Sequence, residues 1–199
     1  MRRVLFAVAV LAMGIATSAS AKGKPAKPEV LVVADEAHQR VDVTIDGTPF
    51  TSYLWPSTQD KPVLYPLIAP GGVEVTRGYP LAPRPGERTD HPHHAGMWFN
   101  YGNVDGFDFW NNSDAIKPEQ KPKMGTIHHQ KIVSTKSGRD SGELVVQSVW
   151  TNGAGEDVIQ QTTRYVFSRR KGINGVRGLV NGGNVSDSGS SIRSSRCMR

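Results

Sequence analysis

The chain has 199 residues, enough for one domain of ordinary size, and a formal net charge of +6. Residues 1–21 and 169–199 hold nine of the 24 basic residues and one of the 18 acids, so 15 bases and 17 acids remain for residues 22–168. This slightly acidic balance excludes the basic surface that a nucleic-acid-binding domain needs. The single cysteine, Cys197, excludes an internal disulfide.

The N-terminal residues have the three parts of a secretory signal peptide. Two arginines precede an apolar run over residues 4–15, and small residues lead to a cleavage site between Ala21 and Lys22. The apolar run is shorter than the roughly 20 residues that a membrane-spanning helix needs. We therefore expect a signal peptide over residues 1–21, a linker over residues 22–29, and a periplasmic or secreted protein without a stable membrane anchor.

The residues after the linker alternate between apolar and polar side chains, which predicts β-strands. An apolar run covers residues 30–33, and residues 40–55 have the pattern of a hairpin that turns at Asp46-Gly47. Residues 61–68 are apolar but contain two prolines, which favours the edge of a sheet. Further strands are predicted at residues 73–79 and 97–101.

The second half of the body predicts a longer set of strands. Residues 124–135 are strand-like, and residues 143–167 have the clearest hairpin pattern, with the turn at Asn152-Gly153-Ala154-Gly155. Sustained helical periodicity is absent from the sequence after the signal peptide. The fold class predicted is all-β, an antiparallel β-sandwich over residues 30–168.

The composition changes at residue 169, where Gly, Ser, Asn and Arg become dominant. Residues 169–199 have too few apolar side chains for a packed element, which favours a disordered tail. An abrupt change from strand-rich to Arg/Ser/Gly-rich sequence is also typical of a shifted reading frame, and this second interpretation is preferred. It predicts that the β-sandwich is incomplete and that the chain is a truncated product; a non-functional fragment is a further alternative.

The most chemically dense segment is residues 89–110, which hold three histidines, two tryptophans and three acids. Aromatic faces that pack on sugar rings, together with planar polar groups that hold hydroxyls, predict a carbohydrate site here. Histidine can transfer protons near neutral pH. The acid-base candidates are His91, His93, His94 and His128, and the ligand-binding candidates are Arg88, Asp90, Trp98, Asn100, Asp108 and Trp110.

Two alternatives stay open for these residues. His91, His93 and His128 offer ligands for Zn or Cu, although no diagnostic zinc spacing is present and no cofactor is predicted. The aromatic residues also suit a sandwich core, with the histidines as turn residues. His128 and His129 are adjacent on a predicted strand, so only one of them can face the site.

Residues 74–111 resemble the bacterial family catalogued as "methane oxygenase PmoA". The motifs that carry the resemblance are Arg-Pro-Gly-Glu at residues 84–87, Asp-His-Pro-His-His at 90–94 and Gly-x-Asp-Phe-Trp at 106–110. The resemblance covers residues 30–168 and implies the N-terminal half of an exported protein from sugar-degrading bacteria, with a sandwich of the galactose-mutarotase type.

The name of that family does not give the activity. A membrane methane monooxygenase subunit needs several spanning helices, and the sequence after the signal peptide has none. If the protein is an enzyme, sugar epimerisation, lysis or hydrolysis is the expected reaction class. The expected partner is a carbohydrate or another small molecule, and the sequence gives no oligomeric state.

Overall fold

The computed structural model describes residues 29–170 and 172–185, and these residues form two antiparallel four-stranded sheets. The sheet orders are β1-β2-β3-β4 and β5-β6-β7-β8. The strands are β1 Val30–Asp35, β2 Arg40–Ile45, β3 Thr48–Leu54, β4 Val63–Leu64, β5 Thr126–Lys136, β6 Ser141–Thr151, β7 Asp157–Arg170 and β8 Ile173–Asn184. Short 3₁₀ helices lie at Glu36–His38 and Lys121–Lys123. The all-β, antiparallel fold class is confirmed.

The two predicted hairpins form as their turn residues indicate. Strands β2 and β3 are joined at Asp46 and Gly47, whose φ angles of 53° and 77° suit the tight turn that an Asp-Gly pair favours. Between β6 and β7, the Asn152 side-chain oxygen accepts hydrogen bonds from the backbone N–H groups of Ala154 and Glu156, each at 3.0 Å. Both predictions are therefore confirmed.

The core lies between the two sheets and takes apolar side chains from both. The isolated bridge between Val30 and Gly138 joins the sheets at one edge. The buried side chains of this core are Val30, Val32, Val41, Val43, Ile45, Phe50, Tyr53 and Leu64 from the first sheet and Leu144, Val146 and Phe167 from the second. Among the described residues, no helix is long and apolar enough to cross a membrane.

Strand β8 differs from the sequence prediction of a structureless tail from residue 169. It pairs with β7 along its whole length, from Arg170↔Ile173 to Ile159↔Asn184. A ladder of backbone hydrogen bonds does not depend on apolar side chains, and Val176 adds a contact with the core. Residues 186–199, like residues 1–28, lie outside the described residues, so the predictions made for them stay predictions.

The strands predicted at residues 73–79 and 97–101 reduce to single bridges, Ile68↔Glu74 and Leu64↔Met97. Residues 65–120 therefore form one long connection between β4 and the second 3₁₀ helix. In this connection side chains supply hydrogen-bond acceptors that a neighbouring strand would otherwise supply. The Glu87 carboxylate, for example, accepts hydrogen bonds from the backbone N–H groups of Gly78 and Tyr79. This connection carries the histidine segment.

Substitution of Phe167 tests the packing of the core between the sheets. Its side chain is fully buried and packs edge-on against Phe50, with a distance of 6.5 Å between the ring centroids. We expect Phe167→Ala to lower the free energy of unfolding by about 3–5 kcal/mol, measured by urea denaturation, because it removes an aromatic ring and leaves a cavity. The control is Val133→Ala at a side chain that is 50% exposed. Equal losses in the two variants would contradict this core assignment.

Candidate functional site

The three histidines of the dense segment form one cluster. Their ring centroids are separated by 4.3 Å for His93 and His94, 5.2 Å for His91 and His94, and 5.6 Å for His91 and His93. A tight turn brings them together, since the His94 N–H donates to the His91 carbonyl at 2.9 Å. His91 has a left-handed φ of 50°, so its ring does not point away from its neighbours as it would in a strand.

The histidine turn is fixed to the edge of the first sheet. Met97 and Leu64 exchange backbone hydrogen bonds of 2.9 and 2.8 Å. Gly96 precedes this pair with a φ of 63°, and a Cβ atom there would lie 2.5 Å from the Leu64 carbonyl oxygen. Only glycine allows this close approach, so the sequence His-His-Ala-Gly-Met places the cluster directly against β4.

Two tryptophans pack beside the cluster. The Trp98 ring lies 5.5 Å from His94, and the Trp110 ring lies 6.0 Å from His94 and 5.8 Å from Trp98. Trp110 is 41% exposed, so part of its ring faces solvent. The predicted grouping of these aromatic rings with the histidines is therefore present in the fold.

Lys61 is a member of this site that the sequence prediction missed. Its side chain is buried, its ammonium donates to the Trp110 carbonyl at 2.9 Å, and Nζ lies 5.3 Å from the centroid of the Trp98 ring. Burial lowers the pKa of Lys61 to about 8, against the opposing charges of Asp60 and Asp108. The available signal was a lysine at the start of an apolar run, KPVLYPLI.

The histidines next to Lys61 favour the neutral form. Burial, followed by electrostatic interaction with His94, Lys61 and His91, lowers the pKa of His93 to about 4. Burial and the same kind of interaction, first with His91 and then with Arg77, also lower the pKa of His94. A neutral imidazole donates from one nitrogen and accepts at the other, so His93 can form hydrogen bonds with a ligand hydroxyl in either direction at neutral pH.

A cavity of about 330 Å³ opens beside His93. This volume is within the range of ligand pockets, roughly 300–1,000 Å³. Hydrogen-bonding side chains form much of its wall. The lining includes Thr58, Gln59, Asp60, Lys61, Tyr79, Pro80, His93, Asn112, Ser113 and Asp114. Burial is the largest cause that raises the pKa of Asp60, and Lys121 opposes it.

The Arg-Pro-Gly-Glu motif supports one wall of this cavity. Glu87 accepts from the Gly78 and Tyr79 N–H groups at 2.9 to 3.2 Å, and these bonds, first that of Gly78, lower its pKa. Arg84 pairs with Glu74 and also lies 3.5 Å from Glu87. The motif therefore orders the loop that presents Tyr79.

Arg88 and Asp90 bind each other at the solvent-facing end of the histidine turn. Asp90 lies 2.7 Å from Arg88, 3.0 Å from His91 Nδ1 and 3.2 Å from Arg77. Burial acts to raise the pKa of Asp90, but the hydrogen bond from His91 and the two arginines lower it overall. This network orients His91, and Arg77 is a second member that the sequence prediction missed.

Asp108 has a structural role in the turn that carries Trp110. One carboxylate oxygen accepts from the Trp110 and Asn111 N–H groups at 2.8 and 3.0 Å, and the other accepts from the Asn111 amide at 2.6 Å. Burial acts to raise the pKa of Asp108, whereas these hydrogen bonds and Lys61 lower it overall. This turn also orients the Trp110 carbonyl towards the ammonium of Lys61, which donates a hydrogen bond to it.

Two predicted site residues lie outside the histidine cluster. Asn100 donates to the Phe109 carbonyl at 3.0 Å and lines a different cavity, beside Trp150. His128 is exposed on β5, and in the described part of the chain no ring contact joins it to the three clustered histidines. Strand alternation instead turns His129 inward, where it stacks on Trp55 at 4.0 Å.

The metal alternative has no matching geometry. Across residues 29–170 and 172–185, no group of three or more His, Cys, Asp or Glu side chains is arranged to hold a metal ion. The proposed set of His91, His93 and His128 therefore lacks its third member. The clustered histidines contact each other and Trp98 instead.

Comparison with known proteins gives one match. The model of a family of unknown function (DUF6807) matches residues 40–181. No match to a PmoA family is found, so the resemblance inferred from the motifs was wrong. No curated protein and no solved structure matches the chain. The match extends beyond residue 168 into β8, in agreement with the strand found there.

The lowered pKa of His93 predicts a pH dependence of stability. His93 stays neutral in the folded protein until pH about 4, whereas a histidine in the unfolded chain binds a proton near pH 6.5. The unfolded state therefore takes up the proton first, and stability is lost as the pH falls from 6.5 to 4. We expect the fall in melting temperature between pH 7 and pH 4.5 to be smaller in His93→Gln than in the wild type.

An NMR titration of the histidine rings checks the same prediction directly. The signal that is missing from His93→Gln identifies His93, and it should show no titration step between pH 5.5 and 7.5. A step in that range would contradict a neutral, desolvated His93.

Proposed function

The chain belongs to the family of unknown function (DUF6807), and we propose that it binds a carbohydrate in the cavity beside His93. The supporting observation is the mixture of groups that surrounds the cavity. Hydroxyl, amide and carboxylate side chains line it together with a neutral histidine and the ring of Tyr79. A polyhydroxylated ring needs this combination, because its hydroxyls take hydrogen bonds and its C–H faces pack on aromatic rings.

The polar groups come from separate parts of the chain and converge on one space. Thr58 and Asp60 lie between β3 and β4, and Ser113 and Asp114 follow the turn of Trp110. Carboxylates accept two or more hydrogen bonds and hydroxyls both donate and accept, so the wall can match several adjacent sugar hydroxyls. His93 closes the cavity on the side of the histidine cluster.

His93 also gives the site a proton-transfer group. The neutral imidazole can accept a proton from an anomeric hydroxyl, and the adjacent imidazole of His94 lies 4.3 Å from it between ring centroids. The exposed part of Trp110 offers a second aromatic surface for a ligand that extends past the histidines. We further propose that binding occurs outside the cytoplasm, as the sequence of residues 1–21 predicts.

The test compares His93→Ala with a matched histidine variant. His38→Ala is the control, because His38 has a 76% exposed side chain on the first 3₁₀ helix and does not line the cavity. Isothermal titration with a panel of neutral hexoses and hexuronates should show binding to the wild type and to His38→Ala. We expect His93→Ala to bind at least about tenfold more weakly, the size of one lost hydrogen bond in a buried site.

Retained affinity in a folded His93→Ala would remove His93 from the site. Absence of binding by the wild type to every sugar of the panel would contradict the proposed function itself.

A further inference from the structure

Lys61 is a buried cation without a carboxylate partner. Its side chain is 3% exposed, and within the described residues no Asp or Glu oxygen lies within 4.0 Å of its ammonium. Lysines are almost never fully buried unless they are paired, because removing the charge from water is costly. Asp60 and Asp108 act on Lys61 from beyond this distance and favour its charged form, so the lysine has acidic neighbours but no ion pair.

The protein contacts of Lys61 use only part of its hydrogen-bonding capacity. An ammonium has three donors, and one of them is taken by the Trp110 carbonyl at 2.9 Å. The Trp98 ring, 5.3 Å from Nζ, adds a cation-π contact that favours the charged form. These neighbours stabilise a cation but leave two donors without an acceptor in the described part of the chain.

The acids nearest to Lys61 are committed to other partners. Both carboxylate oxygens of Asp108 accept hydrogen bonds from the turn of Trp110 and Asn111. Asp60 lies 3.9 Å from Lys121. His93 and His94 are neutral at neutral pH, and the charges that act on them include those of Lys61, Arg77, Asp90 and Asp108. Asp60 and Asp108 favour the charge of Lys61 without forming an ion pair with it, which leaves the ammonium open to an anionic ligand.

We propose that the ligand of this cavity is a sugar acid whose carboxylate binds Lys61. This inference rests on the proposed function, and it names the class of carbohydrate. A ligand carboxylate would take up the unused donors of the ammonium, and it would form the charge-assisted hydrogen bonds that are stronger than neutral ones. The neutral His93 can donate its ring N–H to the same group or to an adjacent hydroxyl.

Two aspartates on the cavity wall favour one orientation of the ligand. Asp60 and Asp114 also line the cavity, and their negative charges repel a carboxylate but accept hydrogen bonds from hydroxyls. We therefore expect the acid group of the sugar to contact Lys61 and the hydroxyls to contact the two aspartates. A neutral hexose of the same ring stereochemistry keeps the hydroxyl contacts with the two aspartates and loses the carboxylate contact with Lys61.

The experiment compares matched sugar pairs on the full chain by isothermal titration. D-galacturonate is paired with D-galactose, and D-glucuronate with D-glucose, for the wild type, Lys61→Met and the control Lys131→Met, whose lysine is exposed on β5. We expect the wild type and the control to bind one uronate at least about tenfold more tightly than its hexose. Lys61→Met should bind the two members of the pair with equal affinity.

The outcomes separate the two proposals. Equal affinity of the wild type for uronate and hexose overturns the sugar-acid inference and leaves carbohydrate binding intact. An undiminished preference for the uronate in Lys61→Met overturns the role of Lys61. Absence of binding to all four sugars overturns the proposed function and the inference with it.

If Lys61→Met does not melt cooperatively and is therefore not properly folded, a second measurement on the wild type tests the same inference. Lys61 loses its charge as the pH rises through its pKa of about 8, whereas a uronate carboxylate stays ionised throughout. The ratio of uronate to hexose affinity should therefore fall between pH 7 and pH 9.5. A ratio that is constant over this range overturns the inference.

Discussion

The two backbone hydrogen bonds between Leu64 and Met97 hold the candidate site on the sheet. They pair the short strand β4 with a single residue of the long connection, and the missing Cβ of Gly96 allows the two backbones to meet. This contact positions the residues on either side of it. The histidine turn precedes it by a few residues, and Trp98 follows it immediately.

The conspicuous motifs of the connection mostly serve architecture. Glu87 and Asp108 direct their carboxylates to backbone N–H groups, where a regular sheet would have supplied carbonyl acceptors. Such bonds satisfy a backbone that has no neighbouring strand. Fewer side chains are therefore available to bind a ligand than the motifs suggest. The main ones are His93 and Lys61.

Local patterns were sufficient for the hairpins and insufficient for the site. Asp46-Gly47 has one favoured turn geometry, and strict alternation fixes which side chains of β6 face the core. Lys61, in contrast, is buried by residues 37 to 49 positions later in the chain, namely Trp98 and Trp110. No local pattern encodes that contact. Alternation also showed that His128 and His129 face opposite sides, but it could not say which one faces inward.

Strand β8 shows a different limit of sequence patterns. Its sequence includes several glycines and asparagines, and the individual β-propensities of these residues are low. The neighbouring β7 supplies a complete row of backbone partners, and the pairing of the two strands is continuous from Arg170↔Ile173 to Ile159↔Asn184. In β8, pairing with a long neighbouring strand thus outweighs an unfavourable composition.

The charge arrangement of the site follows mainly from burial. Burial is the largest cause that lowers the pKa of both His93 and His94, and neighbouring groups, among them Lys61, add to it and keep both histidines neutral. Protonated histidines at this position would surround the lysine with like charges, which a desolvated site cannot accommodate. The site therefore holds one fixed cation and adjacent neutral imidazoles at neutral pH. The positive charge and the hydrogen-bonding imidazoles of the site thus belong to different side chains.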